Sequence, residues 1–454
     1  MNGLNAALAK LRGRGAVSPE QLRDRSFAVL FCVSVVTALG NTGMQSVLPA
    51  IGRQIGIPDP MVAAIFSLSA LLWAIASPVW ARASDRRGRK PLILLGLIGF
   101  LLSMIGCGVV VSAGVRHLAA PMVIFVFFLF ARALFGLFGS ASNPATQAFV
   151  AERTSRERRT EAMSTLAGAF GLGTIVGPLV ATLFVLPVVG LAGPMFAFAV
   201  IAGLMLVAVW AWLVEDKAPP APLSEAAQRF VPAEAEAHAR PKPLWRDPRL
   251  TPFLGYGFLV ACCQTGLGQT LGFLIIDKVK VSPMAALDYI KMAMMTGAIA
   301  SLLAQWGLIR MFRMSPRHLL RWGVGLAAAG SLLVAVSPDY WTVVIAYALS
   351  SLGFSFARPG FTAGASLSVS SDEQARAAGA IAAVNGVNVV LAPLFVKFYE
   401  ISHPAPFLLN AVVLAGLLGF AYLNPILRTA GLAPTSEDDA TVSILEKSEE
   451  GAVS

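Results

Sequence analysis

Charge is the first thing this sequence is short of. Only 13% of its residues are Asp, Glu, Lys or Arg, against 56% hydrophobic, where a soluble domain carries roughly a quarter charged. A soluble fold could not hide that much apolar surface, so the chain must be an all-α protein crossing a bilayer many times. Cysteine is scarce too. Cys32, Cys107, Cys262 and Cys263 all fall inside apolar runs without metal-ligand spacing, so they read as packing residues and no metal is expected. No apolar run supplies a nucleophile–base pair or metal cluster, which speaks against a membrane-embedded enzyme. The absence of a Gly-x-x-x-x-Gly-Lys-Ser/Thr loop excludes an ATP-driven pump, and no cofactor is implied. Most telling for a carrier, no Asp, Glu or His lies deep in any apolar run. The nearest acids are Glu152, Asp277 and Asp288, all close to the ends of their segments. Residues 1–25 are polar and basic with no apolar core before a small-residue cleavage site, so the first span is expected to serve as an uncleaved insertion signal.

What the chain has instead is length of apolar run. About twelve segments are long enough to cross a bilayer, at roughly 26–50, 60–81, 91–112, 119–149, 163–187, 192–214, 251–276, 285–309, 318–337, 340–368, 374–398 and 405–427. The organisation expected is a cytoplasmic segment at 1–25, a helical bundle at 26–214, a linker at 215–250, a second bundle at 251–427 and a cytoplasmic tail at 428–454. The linker is rich in Pro, Ala and charge and cannot span a bilayer. The halves also repeat. Pro144 and Pro178 are separated by the same interval as Pro359 and Pro393, and at that offset the fourth and fifth spans overlay the tenth and eleventh without a gap.

Basic residues cluster in alternate loops: Arg82 to Lys90, then Arg153 to Arg159, then Arg310 to Arg321. By the positive-inside rule those loops and both termini face the cytoplasm. The formal net charge of +10 therefore reports topology, not nucleic-acid binding. The first cluster has a narrower pattern, Ala81-Arg82-Ala83-Ser84-Asp85-Arg86-Arg87-Gly88-Arg89-Lys90. It resembles the signature loop between the second and third helices of the major facilitator superfamily of transporters, with Ala81 where that family has glycine. The resemblance implies about twelve helices in two pseudo-symmetric six-helix bundles, with substrate held near the midplane. It assigns a gating role to Ala81, Asp85, Arg86, Gly88 and Arg89.

Further motifs fall where that family has them. Arg132-Ala133-Leu134-Phe135-Gly136 sets a guanidinium near mid-membrane, at a cost of about 2.5–3.5 kcal/mol on insertion scales, so it should face a cavity or a partner. It is similar to the family's Arg-x-x-x-Gly motif on the fourth helix, which implies proton coupling through Arg132, with Glu152 as the acid at the end of that span. In the fifth span, Gly173, Gly177 and Pro178 form a Gly-x-x-x-Gly-Pro that lets helix backbones approach closely and bends the helix. It resembles the antiporter motif of drug-exporting members, though Ala181 and Thr182 stand where two glycines usually follow. In the first span, Thr37, Asn41 and Gln45 make a polar stripe at four-residue steps before Leu48-Pro49. That start is similar to the tetracycline and multidrug exporter branch, with Thr37 where the tetracycline carriers have an aspartate.

The remaining polar groups inside apolar runs are Asn143, Gln147, Gln264, Gln269, Arg358, Asn385 and Asn388. Together with Asn41 and Gln45 they are candidate substrate contacts, since apolar walls with few polar groups suit an amphiphilic or aromatic ligand. The expectation is a monomeric secondary transporter in the bacterial inner membrane, not an enzyme, exporting small drug-like molecules in exchange for protons. The alternative is a uniporter or proton-coupled uptake permease for a metabolite such as an organic anion, with Arg132 and Arg358 binding carboxylate.

Overall fold

A computed structural model describes residues 19–154, 159–185, 189–213, 247–369 and 374–431. Of the expected linker only 247–250 are described, of the expected N-terminal segment only 19–25, already helical, and of the expected tail only 428–431. Helices dominate: α1 (Pro19–Ile55), α2 (Asp59–Arg87), α3 (Arg89–Val115), α4 (Pro121–Phe138), α5 (Ser142–Arg153), α6 (Arg159–Leu183) and α7 (Gly193–Trp212). Then come α8 (Thr251–Val279), α9 (Pro283–Leu302), α10 (Ile309–Met311), α11 (Pro316–Ala335), α12 (Tyr340–Leu367), α13 (Gln374–Val387), α14 (Ala392–Ile401), α15 (Ala405–Leu423) and α16 (Pro425–Arg428). Several begin with proline in the first turn, where the missing N–H is no loss: α2, α4, α7, α11 and α15 all do so. Asp339 caps α12 through its side chain, which accepts from the Thr342 amide at 2.9 Å.

Among the described residues, ten helical stretches are long and apolar enough to cross a membrane. The fifth and eleventh expected spans each include residues or side chains outside those described. The fifth is a continuous helix, α6, with an apolar stretch at Gly168–Leu183. The eleventh is cut by a 3-10 turn at Asn388–Leu391 just ahead of Pro393. The fourth span is cut in the same way at Gly139–Ala141, just ahead of Pro144. Proline removes an amide that the preceding turn would have used, so the helix tightens there. The partners in the repeat, Pro178 and Pro359, sit inside unbroken helices. The sequence repeat is therefore conserved in register but not in which copy breaks.

The basic signature is a correction to the expected loop. Helix α2 runs through Arg87, and α3 starts at Arg89. One residue makes the turn: Gly88, at φ +89°, a conformation that side chains resist, with its amide bonded to the Ser84 carbonyl at 3.1 Å. Around it, the Arg89 guanidinium donates to Ser84 Oγ at 3.1 Å. Lys90 Nζ donates to the carbonyls of Trp210 at 2.9 Å and Leu213 at 2.7 Å, closing the C-terminal end of α7. The side chain of Asp85 lies outside those described, and Arg86 is exposed.

The described helices fall into two compact units. The first contains α1 to α7 together with Gly268–Met295 and Val389–Ile401. Its apolar core draws Leu30 and Val33 from α1, Ile93 and Leu97 from α3, Phe149 from α5, Leu166 from α6 and Val209 from α7. The second contains the start of α8, the helices from Thr296 to Asn388, and those after Ser402. There α11 and α12 cross through glycines: a Cβ on Gly323 would meet the Ala357 backbone, and one on Gly353 would meet that of Ala327. Lipid is as apolar as leucine, so such close backbone approach does what water-driven burial does in soluble folds. The outward surface is accordingly apolar, with Ile75, Phe130, Leu204 and Val412 all exposed.

Candidate functional site

The first unit is built around one buried cation. Arg132 on α4 is 1% exposed. Its Nη2 donates to Asn41 Oδ1 on α1 at 2.7 Å, so two of the residues singled out in the sequence meet. The guanidinium lies over the rings of Phe66, 4.9 Å away, and Phe135, 4.8 Å away. Cation–π attraction grows when the charge is out of water, so these rings offset part of the burial cost. Phe135 is itself flanked by Trp73 and Phe100 at centroid separations of 5.2 and 5.4 Å. The backbone is pinned as well, because Ser69 Oγ on α2 donates to the Arg132 carbonyl at 3.1 Å. Gly136, the last residue of the motif, sets its Cα directly against the Ser69 backbone. The Nε and Nη1 groups of Arg132 are buried and have no acceptor. An aromatic pocket holding a fixed positive charge with donors to spare is equipped to attract an anionic or strongly accepting group.

The glycine motif has a definite structural role. A Cβ on Gly173 would stand 2.3 Å from the Val35 carbonyl oxygen, and one on Gly177 would stand 2.6 Å from that of Leu39. Helix α6 thus rests on the backbone of α1 between Val35 and Gly43. Pro178 follows within the same buried contact. Gly168 and Gly171 face open space and take no part.

The other expected contacts scatter. Thr37 turns back on its own helix, donating to the Val33 carbonyl at 2.7 Å. Gln45 and Gln269 are half-buried. Asn143 and Gln147 are exposed and bond one another at 3.2 Å, one turn apart on α5. In the second unit, Arg358 Nη1 reaches Gln264 Oε1 at 3.4 Å. Asn388 is buried, and its amide donates to the Ala261 carbonyl at 2.9 Å and to Thr265 Oγ1, tying the broken eleventh span to α8. Asn410, which the sequence reading passed over, makes a matching tie to the Cys263 carbonyl at 2.9 Å. These two asparagines are helix-to-helix links. The side chains of Glu152 and Asn385 lie outside those described. Among the described residues, no group of three or more His, Cys, Asp or Glu is placed to hold a metal.

A polar cluster not foreseen in the sequence lies in the first unit, at the helix ends away from Gly88. Arg53, at the end of α1, forks onto Asp59 of α2 through Nε and Nη2 at 2.7 and 2.6 Å. The same guanidinium reaches Asp277 of α8 at 3.1 and 3.2 Å. Tyr399 of α14 donates its hydroxyl to Asp277 Oδ2 at 2.6 Å.

Comparison with known proteins agrees with this architecture. The family model of the Major Facilitator Superfamily matches residues 30–393. The chain belongs to that superfamily. Curated relatives include the class B tetracycline resistance protein of Escherichia coli, 27% identical over 203 residues, covering 43% of this chain and 45% of that protein. Another is the multidrug resistance protein MdtG of Serratia proteamaculans, 31% identical over 155 residues, covering 34% and 32%. The matched stretch thus spans less than half the length of these relatives. Solved structures share the fold over nearly their whole length. The human organic anion transporter MFSD10 aligns with a TM-score of 0.60 at 20% identity, covering 89% of this chain and 99% of that one. A bacterial homologue of the human lysosomal transporter Spinster aligns at 0.67 and 13% identity, covering 93% and 100%.

Proposed function

We propose that this superfamily member is a secondary transporter that exports small amphiphilic or aromatic compounds in exchange for protons, by alternating access. The observation that carries the reading is Arg132, buried among aromatic rings, held by Asn41 and left with two donors unused. A fixed positive charge there favours loss of a proton from any acid that approaches it, and the rings offer stacking to a flat apolar substrate. The glycine seam between α1 and α6 supports exchange over leak, because a tight backbone contact leaves no room for an ion to pass along it. Resistance to tetracycline and to several drugs is what the partial relatives are named for. The basic stretch at Arg82–Lys90 supports a cytoplasmic placement of that end and of both termini, in a bacterial inner membrane. A monomer of two six-helix halves, 26–214 and 251–427, is the working unit in this reading.

One observation favours the second reading, uptake or uniport of an organic anion: the Nε and Nη1 donors of Arg132 are without an acceptor, and a carboxylate oxygen is an acceptor for either. Reconstitution in liposomes with an imposed pH gradient decides between them. A panel of dyes and antibiotics should move against their own gradients when the proton gradient is present. Drug movement indifferent to the gradient rejects antiport, and uptake of small carboxylates in the same vesicles establishes the second reading.

A further inference from the structure

We propose that the surface where the start of α11 meets the end of α15 binds the phosphate of an anionic phospholipid. Arg317 and Arg321 are its ligands, and Tyr422 is the ring on which Arg321 rests. The inference goes beyond the transport reading and holds whatever the direction or coupling of transport.

Two basic turns of the molecule are satisfied differently. In the first unit, the second residue of α3 is Lys90, which is committed to the protein through the Trp210 and Leu213 carbonyls at the end of α7. In the second unit, the second residue of α11 is Arg317. The end of α15 is closed without it. The Asn424 amide donates back to the Phe420 carbonyl at 2.9 Å, and the Asn424 side chain accepts from the Ile426 and Leu427 amides at 3.0 and 3.2 Å, which starts α16. The Nε groups of Arg317 and of Arg321, one turn further on, are buried without an acceptor, although each side chain as a whole is part-exposed. The Arg321 guanidinium lies over the Tyr422 ring, 4.3 Å from its centroid.

The surrounding chain offers no carboxylate to balance them. The sequence has no Asp or Glu from 289 to 338, which holds α11, and none from 401 to 436, which holds α15 and α16. Asp247, ahead of α8, is paired with its own Arg249 at 2.8 Å. Arg428 of α16 adds an exposed cation, and a Cβ on nearby Gly431 would stand 2.6 Å from the Pro316 ring, which sets α16 beside the start of α11. Guanidinium groups so placed call for an anion from outside the chain.

The level in the membrane and the neighbours say which anion. The apolar span begins at Pro316, so Arg317 and Arg321 occupy its first two turns, about 6 Å apart along the axis. A lipid headgroup layer is about 5–8 Å deep, and the pair spans it. The guanidinium fork matches two phosphate oxygens at once. Beside the arginines, Trp322, Tyr422 and Leu423 are all exposed. Amphipathic rings at that level suit the glycerol and upper acyl chain of a lipid. Neither dissolved phosphate nor an acidic segment such as Glu437–Asp439 has a use for them.

The test is native mass spectrometry of the full chain, released from micelles holding equal amounts of dioleoylphosphatidylglycerol and dioleoylphosphatidylcholine. Phosphatidylglycerol should be retained in preference to phosphatidylcholine. Arg317→Gln with Arg321→Gln should lose that preference. Arg86→Gln with Arg87→Gln, which takes the same charge from two exposed arginines of the first unit, should keep it. Tyr422→Leu leaves both ligands in place and should raise the phosphatidylglycerol needed for half occupancy about two- to fivefold. This milder change also covers the case in which the double variant folds poorly. Equal retention of the two lipids, or an unchanged preference in the Arg317 and Arg321 variant, overturns the proposal. So does displacement of the lipid by inorganic phosphate at equal concentration, the mark of a site for free anions. A preference that emerges only with Glu437→Gln, Asp438→Asn and Asp439→Asn overturns it too, because that segment is then the occupant.

Discussion

Alanine at Gly177 is the sharpest test of how the first unit is packed. The added Cβ would lie 2.3 Å from Thr42 Oγ1, 2.6 Å from the Leu39 carbonyl oxygen and 2.9 Å from the Gly43 amide nitrogen. Thr42 can rotate, although it would give up its bonds to the Ala38 carbonyl at 2.9 Å and the Gly173 carbonyl at 3.4 Å. The backbone of α1 cannot move aside so easily. To restore an ordinary 3.4 Å contact with Leu39, the helices must part by about 0.8 Å (3.4 − 2.6) along their whole seam. Overpacking of this kind costs about 1–3 kcal/mol. Gly171→Ala, on the same helix, meets nothing within 4 Å and should instead gain up to about 1 kcal/mol from lower chain entropy in the unfolded state. The two variants change the same atom count in the same helix, so propensity and hydropathy cancel between them. Thermal unfolding of detergent-purified protein should place Gly177→Ala several degrees below the native chain and Gly171→Ala level with it or above. A Gly177→Ala protein as stable as the native one, or an equal loss in both, would refute the claim that this seam holds α6 on α1.

Replacing Arg132 by Lys should leave partial transport, since one ammonium can still reach Asn41, while Arg132→Ala should abolish it in a protein that still elutes as a single folded species; vesicle flux beside size-exclusion profiles reads both. Lys90→Met removes the cation that closes the end of α7, and should cost on the order of 0.3–1 kcal/mol, seen as a small drop in unfolding temperature with the fold intact. For topology, an impermeant thiol reagent applied outside intact cells should label a cysteine at Val281 and miss one in the 215–250 linker; labelling of the linker would break the expected arrangement of spans.

Much of this protein can be read from its residues, because a bilayer imposes one length on every crossing and one sign of charge on its cytoplasmic side. Arg132 announces itself for that reason: a cation so far from either end of an apolar run must have a partner. The repeat of Pro144 and Pro178 in Pro359 and Pro393 is likewise plain in the spacing. What the residues could not tell is which groups meet. Asn41 and Arg132 are 91 positions apart, and Arg53 and Asp277 are 224 apart. No local periodicity records a pairing made only when separate helices cross. Gly168 and Gly171 look no different in sequence from Gly173 and Gly177, yet only the latter pair meets α1, because a helix turns each residue to its own bearing and the neighbour lies on one side alone. The same holds for the prolines. Each can break its helix, and whether the freed backbone tightens into a 3-10 turn, as ahead of Pro144 and Pro393, or stays in the helix, as around Pro178 and Pro359, is decided by what packs around it.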